Sequence, residues 1–274
     1  MKTDLITSPR NPRIVEARKL TQRKHRQRQG QFLVEGLPLL TLALNAGARP
    51  ITVFYCPDLI TAQPATTLLT RFAQTHAELI PVSRPVLDTL CEREAPEGII
   101  ATFALFETTA DHLTLSGHEL VLILDRLQDP GNLGTLIRTA DAVGAAAVIL
   151  IEPCVDPFDP KSVRGTMGSL FNLPIVRTTQ IDTLFQKLKK AGLRIVGADA
   201  HNGRMWGEGI LHGGVALVLG NEARGLSDDI AIHIDANATL PMIGKAESLN
   251  VAVAGGVLMY TWLRENKASN VDDV

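Results

Sequence analysis

Residues 215–260, VALVLGNEARGLSDDIAIHIDANATLPMIGKAESLNVAVAGGVLMY, decide the fold. The unbroken apolar run Val215–Leu219 reads as a buried strand. Gly220-Asn221-Glu222 then ends it with small and polar residues. A second apolar piece, 239–242, contains Pro241, which has no amide to donate, so a strand end or edge is expected there. Ser248 stands where an N-cap is wanted for a helix of small residues over 251–263. Two strand ends and a helix start therefore converge with little side-chain bulk, which suits a ligand held by backbone amides and carbonyls.

Working outward, residues 119–266 alternate strands with helices. Apolar runs at 120–125, 147–151, 175–178 and 194–198 are separated by helical patterns at 133–143, 160–170 and 181–191. Continuous apolar strands between helices predict an α/β domain with a parallel sheet covered on both faces. Gly131-Asn132-Leu133-Gly134 invites comparison with a dinucleotide-binding loop, but GxGxxG spacing and an acidic residue at the next strand end are missing. Nicotinamide dinucleotide binding is not expected.

Residues 1–106 read as a smaller α/β domain. Helices are expected at 11–20, 38–45, 65–76 and 86–93, and strands at 32–34, 51–56, 78–82 and 98–105. Residues 107–118, rich in Thr and without apolar period, read as the linker. Residues 267–274 are a polar tail, and Asn266 is expected to begin disorder.

The 274 residues carry a net charge of -2, yet residues 1–34 hold nine Lys/Arg against Asp4 and Glu16, a local +7. The other 240 residues therefore sum to -9. A basic end is the footprint expected of RNA contact; a solvated, partly disordered arm is the plainer alternative. Within it Arg23, Lys24, Arg26 and Arg28 follow one another without an apolar anchor or an aromatic residue for base stacking. Cys56, Cys91 and Cys154 are scattered and lack metal-ligand spacing, so no metal site and a reducing, cytoplasmic setting are expected. No apolar run is long enough to span a membrane.

Three segments, DPGNLGTLIRTADA (129–142), GNEARGL (220–226) and LPMIGKAESLNVAVA (240–254), resemble in order the three motifs of the SpoU family of RNA ribose 2'-O-methyltransferases, within the SPOUT superfamily. FLVEG (32–36) with its following helix is similar to the substrate-binding domain of those enzymes. The resemblance implies a trefoil knot in the C-terminal domain, S-adenosylmethionine as cofactor, an RNA substrate and a homodimer through the C-terminal domain. It makes Arg138 the catalytic residue, holding RNA phosphate and helping to remove the hydroxyl proton. Glu222 then orients Asn132 or that arginine, Ser248 and Asn250 line the catalytic pocket, and Gly220, Leu240 and Leu249 contact the cofactor. Lys161 and Arg164 match a segment that meets RNA.

Each assignment has a structural alternative. Asn132, Ser248 and Asn250 are good helix caps. Arg138 has Asp141 three residues on for a surface pair, and Lys161 and Arg164 suit a solvated helix face. Arginine also holds its proton too tightly to be an ordinary base. The expected activity is ribose 2'-O-methylation of RNA, ribosomal RNA first and transfer RNA second. A non-catalytic RNA-binding protein with a decayed methyltransferase domain is the reading from a different class.

Overall fold

The structure, a computed structural model, describes residues 4–61, 63–91, 97–106, 108–200 and 202–267. These form two compact units, 1–106 with 156–171, and 107–155 with 172–274.

The first unit begins with helix α1 (Pro12–Lys19), where Pro12 occupies the first turn and the Asn11 side chain accepts from the Arg13 amide. Ile14, Ala17 and Leu20 are buried. The basic stretch that follows is no loose arm but a second helix, α2 (Arg23–Gln29), ended by left-handed Gly30. Its anchor is the Arg26 side chain, only 2% exposed. Arg26 Nε and Nη2 donate to Asp156 Oδ2 at 3.1 and 2.8 Å, and Nη1 donates to the carbonyls of Leu20 and Thr21, both at 2.9 Å. A cation thus closes the C-terminus of α1, where peptide carbonyls lack helical partners.

β1 (Gln31–Glu35), α3 (Leu37–Asn45), β2 (Pro50–Tyr55), α4 (Gln63–Ala73), β3 (Glu78–Pro81), α5 (Arg84–Asp88) and β4 (Ile99–Ala104) complete this part. The sheet order is β1-β4-β2-β3, with only β2 and β3 parallel. The helix expected over 86–93 starts earlier and stops at Asp88; positions 92 and 93 lie outside the described residues.

The second unit opens with β5 (Leu120–Asp125), α6 (Pro130–Ala142) and β6 (Ala147–Ile151). Residues 156–171, read from sequence as part of the C-terminal domain, then belong to the first unit. Aromatic burial explains this. Phe158 lies 4.8 Å from Phe32 and 5.2 Å from Phe106, and Phe171 lies 5.3 Å from Phe103, all between ring centroids. Helix α7 (Pro160–Thr166) is shorter than expected because Met167 and Gly168 take left-handed backbone, with φ of 48° and 93°.

β7 (Ile175–Thr178), α8 (Ile181–Lys190), β8 (Arg194–Ala198), β9 (Arg204–Met205), β10 (Val215–Leu219), α9 (Asp228–Ala231), β11 (Ala236–Thr239) and α10 (Val251–Lys267) follow. The seven-stranded sheet has order β7-β6-β5-β10-β8-β11-β9, and every pair is parallel. β5, β6 and β10 are buried along their whole length, hence their unbroken apolar sequence. β11 sits upstream of the expected 239–242 and stops at Thr239, leaving Pro241 in the loop. Residues 108–118 are more ordered than a plain linker: Thr108 makes a parallel bridge to Val176, and Ala110–His112 form a 3-10 turn.

α10 runs past the expected end at 263. Asn266 is part of it, not the start of a disordered tail. Its Nδ2 donates to Leu211 O at 2.9 Å, its Oδ1 accepts from the Gly213 amide at 2.7 Å, and Glu265 accepts from the Leu211 amide at 3.1 Å. Residues 268–274 lie outside those described. A Cβ on Gly255 would stand 2.6 Å from the Cδ methyls of both Leu136 and Leu219, so α10 packs closely on α6 and β10 and a side chain there would require both leucines to move. Gly256 meets no heavy atom within 4 Å. Among the described residues no helix is long and apolar enough to cross a membrane.

Candidate active site

β10 returns to lie between β5 and β8, so the strand order reverses beside β5. Open parallel sheets bind ligands outside the carboxyl ends of strands at such a reversal. Next to that reversal a cavity of about 760 Å³ opens outside the carboxyl ends of β8, β10 and β11, closed on its far side by the start of α10. Its apolar wall includes Leu219, Leu226, Ala238 and Leu240, and its polar rim includes Glu222, Ser248 and Asn250. Gly220, Leu240 and Leu249, the residues expected to meet the cofactor, all line it. Gly220 also has a packing reason for its identity: a Cβ would stand 2.3 Å from the Gly225 carbonyl carbon and 2.5 Å from the Leu226 nitrogen. The loop folds back against the strand end that closely.

Three of the expected catalytic residues form one directed chain of hydrogen bonds. Asn250, not Ser248, is the cap of α10, its Oδ1 accepting from the amides of Ala252 and Val253 at 2.9 and 3.3 Å. This fixes the amide orientation, so Asn250 Nδ2 donates to Asn132 Oδ1 at 3.0 Å. Asn132 Nδ2 then donates to Glu222 Oε1 at 3.1 Å. Glu222 also accepts from the amides of Gln128 and Asp129, at 3.3 and 3.2 Å. Asn132 is not the cap of α6. Asp129 fills that position, accepting from the Asn132 amide at 2.8 Å. The Asn132 side chain is thereby left for the bridge between α10 and the loop after β10.

That loop is clasped at both ends to β5. Asn221 Nδ2 donates to the Arg126 carbonyl at 2.9 Å, which Arg126 presents from a backbone with φ of 53°. Buried Asp125 accepts from the amide and hydroxyl of Ser227 at 2.8 and 2.7 Å, while Arg126 Nη2 donates to Asp229 at 2.6 Å. That guanidinium holds the Asp229 carboxyl below the usual carboxylate range. Nothing in the sequence singles out Asp125 or Arg126; the signal available was a polar pair at the end of an apolar strand.

Arg138 lies on α6 six residues beyond Asn132, about 9 Å along the axis. It is exposed and has no carboxylate partner among the described residues. The surface pair with Asp141 does not form. Asp141 instead accepts from Asn172 Nδ2 at 2.8 Å. Ser248 is exposed on the cavity rim. Among the described residues no group of three or more His, Cys, Asp or Glu side chains is disposed to hold a metal.

In the first unit the basic residues fare differently from one another. Arg26, expected to meet RNA, is buried against Asp156 and is unavailable to a phosphate. Arg28 is exposed and lies 3.4 Å from Glu16. Lys24 is exposed and Arg23 half-buried, both on α2. Lys161 is exposed on α7, whereas Arg164 is half-buried and faces a small cavity with Glu35 and Leu90.

The geometry has close counterparts among known proteins. Residues 119–260 match the model of the SpoU rRNA methylase family, and residues 11–101 match the MRM3-like substrate binding domain. The chain is 32% identical to the 23S rRNA (guanosine(2553)-2'-O)-methyltransferase RlmP of Bacillus subtilis, over 93% of this chain and 97% of that protein. The crystal structure of the SpoU methyltransferase AviRb from Streptomyces viridochromogenes in complex with AdoMet superimposes with a TM-score of 0.86 at 32% identity, covering 95% of this chain and 99% of that one. The AdoMet-bound rRNA methyltransferase from Sinorhizobium meliloti gives 0.85 at 32% identity, covering 96% and 98%. Fold and site together define an S-adenosylmethionine-dependent RNA methyltransferase. The chain belongs to the SpoU rRNA methylase family.

Proposed function

We propose that this protein moves a methyl group from S-adenosylmethionine to a ribose 2'-hydroxyl of ribosomal RNA. The observation that carries this reading is the chain Asn250–Asn132–Glu222 at the cavity rim, one residue from each of the three motifs. The cavity, about 760 Å³, lies within the roughly 300–1,000 Å³ typical of small-molecule sites, and its mixed apolar and polar lining fits an amphiphilic cofactor. Gly220, Leu240 and Leu249 would hold that cofactor, which supplies a methyl already activated by its sulfonium.

The protein's task is then to aim a ribose and receive a proton. Glu222 has three N–H donors on its two oxygens, which supports an orienting role in place of a general base. The unpaired guanidinium of Arg138 suits bidentate capture of a phosphodiester, fixing the ribose beside the cofactor. The hydroxyl proton passes to a substrate phosphate or to Arg138, and the tight hold of guanidinium on its own proton favours the phosphate.

Likeness along nearly the whole chain to an enzyme named for 23S rRNA, first unit included, supports ribosomal over transfer RNA. It also supports a cytoplasmic setting and the trefoil knot of the family. A homodimer through α10 is part of the same proposal. Val253, Gly256, Val257 and Tyr260 recur at helical spacing, and Val253 and Tyr260 are each 53% exposed.

Mapping 2'-O-methyl positions in total RNA with and without the protein tests the reading. Arg138→Ala and Arg138→Lys should each lose at least about a hundredfold in single-turnover transfer, the scale of a lost positioning or proton-handling group. Cofactor affinity should stay unchanged. Near-normal turnover by Arg138→Lys would remove the clamp from the mechanism.

A further inference from the structure

The second unit contains seven arginines, and five of them are engaged. Arg126 pairs with Asp125 and Asp229, Arg177 with Glu152, and Arg194 donates to the carbonyls of Ile210 and His212. Arg204 donates to Glu208 O at 3.4 Å, and Arg264 lies 5.6 Å from the Trp206 ring centroid. The two whose guanidinium groups meet no such partner among the described residues are Arg138 and Arg224.

Arg224 is exposed and lines the cavity rim, two residues after Glu222. Its backbone is held firmly. Asn221 and Gly225 exchange amide-to-carbonyl bonds, both at 2.9 Å, and Asn221 Oδ1 accepts from the amides of Ala223 and Arg224 at 3.0 and 3.2 Å. The resulting three-residue tip carries Glu222 toward Asn132 on α6, the helix of Arg138, and leaves the Arg224 side chain in solvent. A cation on a fixed base loses little backbone freedom when it binds a ligand.

We infer that Arg224 is a second phosphate-binding residue, and that it grips the RNA backbone next to the ribose to be methylated. This rests on the reading of the site as a ribose methyltransferase. A ribose within RNA lies between two phosphodiesters, and one guanidinium captures only one of them. With a single clamp the sugar can still swing about that phosphate, whereas two clamps fix both ends. Two arginines without partners, on segments joined by the Asn132–Glu222 bond, supply both. The residues beyond 34 sum to -9, so a guanidinium that meets no carboxylate among the described residues is a distinctive cation in that part of the chain.

The test uses the full-length protein, an in vitro transcript of 23S ribosomal RNA and the variants Arg224→Gln and Arg224→Lys. Arg224→Gln should raise the KM for RNA about tenfold. It should also flatten the slope of log K against log salt by about 0.7–0.9, the contribution of one phosphate contact. Arg224→Lys should keep the salt slope while binding less tightly, because the charge survives and the bidentate geometry does not. Melting temperature and cofactor affinity should stay at the wild-type value in both. RNA affinity and salt slope unchanged in Arg224→Gln would overturn the inference. So would weakened binding of S-adenosylmethionine alone, which would give the guanidinium to the cofactor carboxylate. If the wild-type protein binds cofactor yet methylates no ribose, it is the underlying ribose-methyltransferase reading that fails.

Discussion

Replacing Gly220 by Ala tests whether the cavity depends on the loop packed against the end of β10. Gly220 is not among the positive-φ residues, so its backbone accepts Ala without torsional strain and the effect is purely steric. The new Cβ would stand 2.3 Å from the Gly225 carbonyl carbon, where ordinary contact begins at 3.4 Å. The obstacle is backbone, which cannot rotate away, so the 225–226 segment must retreat by about 1.1 Å (3.4 minus 2.3). That movement strains the paired bonds between Asn221 and Gly225. Overpacking costs about 1–3 kcal/mol and each weakened bond about 0.5–1.5. A penalty of about 2–4 kcal/mol therefore falls on the loop that forms the cavity wall. At least about 1.4 kcal/mol of it should appear as lost cofactor affinity, a tenfold rise in Kd. Isothermal titration with S-adenosylmethionine, alongside a thermal melt, measures both. A Kd within twofold of wild type would show that the loop yields freely and would refute the steric argument.

The other predictions concern different parts of the chain. Arg26→Gln should destabilise the first unit by about 3 kcal/mol or more, because it leaves Asp156 buried without its cation. Lys24→Gln should leave urea unfolding unchanged and flatten the salt dependence of RNA binding; the reverse pattern would restore Arg26 to the RNA surface. Glu119 accepts from the Ser116 hydroxyl and amide at 2.6 and 2.7 Å, and from the amides of Gly117 and His118 at 3.0 and 3.1 Å. Burial pushes its pKa up, but these donors outweigh burial and hold it at about 2, against 4.5 when unperturbed. Its stabilisation should be complete above about pH 4.5 and vanish as pH falls through about 2. The stability gap between wild type and Glu119→Gln should close over that window, and a gap constant with pH would count against the assignment. Gly256→Ala should strengthen the isolated helix by about 0.8–1 kcal/mol. If α10 joins two copies at close range, it should also weaken the dimer in analytical ultracentrifugation.

Much of the second unit was legible because hydrophobic burial writes directly into sequence. β5, β6 and β10 are unbroken apolar runs because both faces of a central parallel strand are covered. β11 was misplaced because ANAT has no apolar run to mark it. α2 was missed for a related reason. Its anchor is a charged side chain, and burial of a charge becomes favourable only when a carboxylate 130 residues away arrives to meet it. Residues 156–171 lie inside the segment that matches the SpoU family model yet cluster with the first unit, because Phe158 and Phe171 pack beside Phe32, Phe103 and Phe106, a contact that local sequence pattern does not show.

The same division runs through the site. By itself the sequence determined the α/β class, the run of strands and helices, and three motifs rich in glycine, amide and acid side chains, since these depend on local pattern and residue chemistry. The family resemblance of those motifs also marked Asn132, Glu222 and Asn250 as candidates, with helix capping or simple exposure as the structural alternative. Tertiary structure decided among those alternatives. Asp129 takes the cap of α6, Asn250 takes the cap of α10, and Asn132 is left to join Asn250 to Glu222. Such choices depend on which donors and acceptors come within about 3 Å of one another across some 90 to 118 residues of chain. Only folding sets those distances, because hydrogen bonding is short-ranged and directional while sequence patterns record burial.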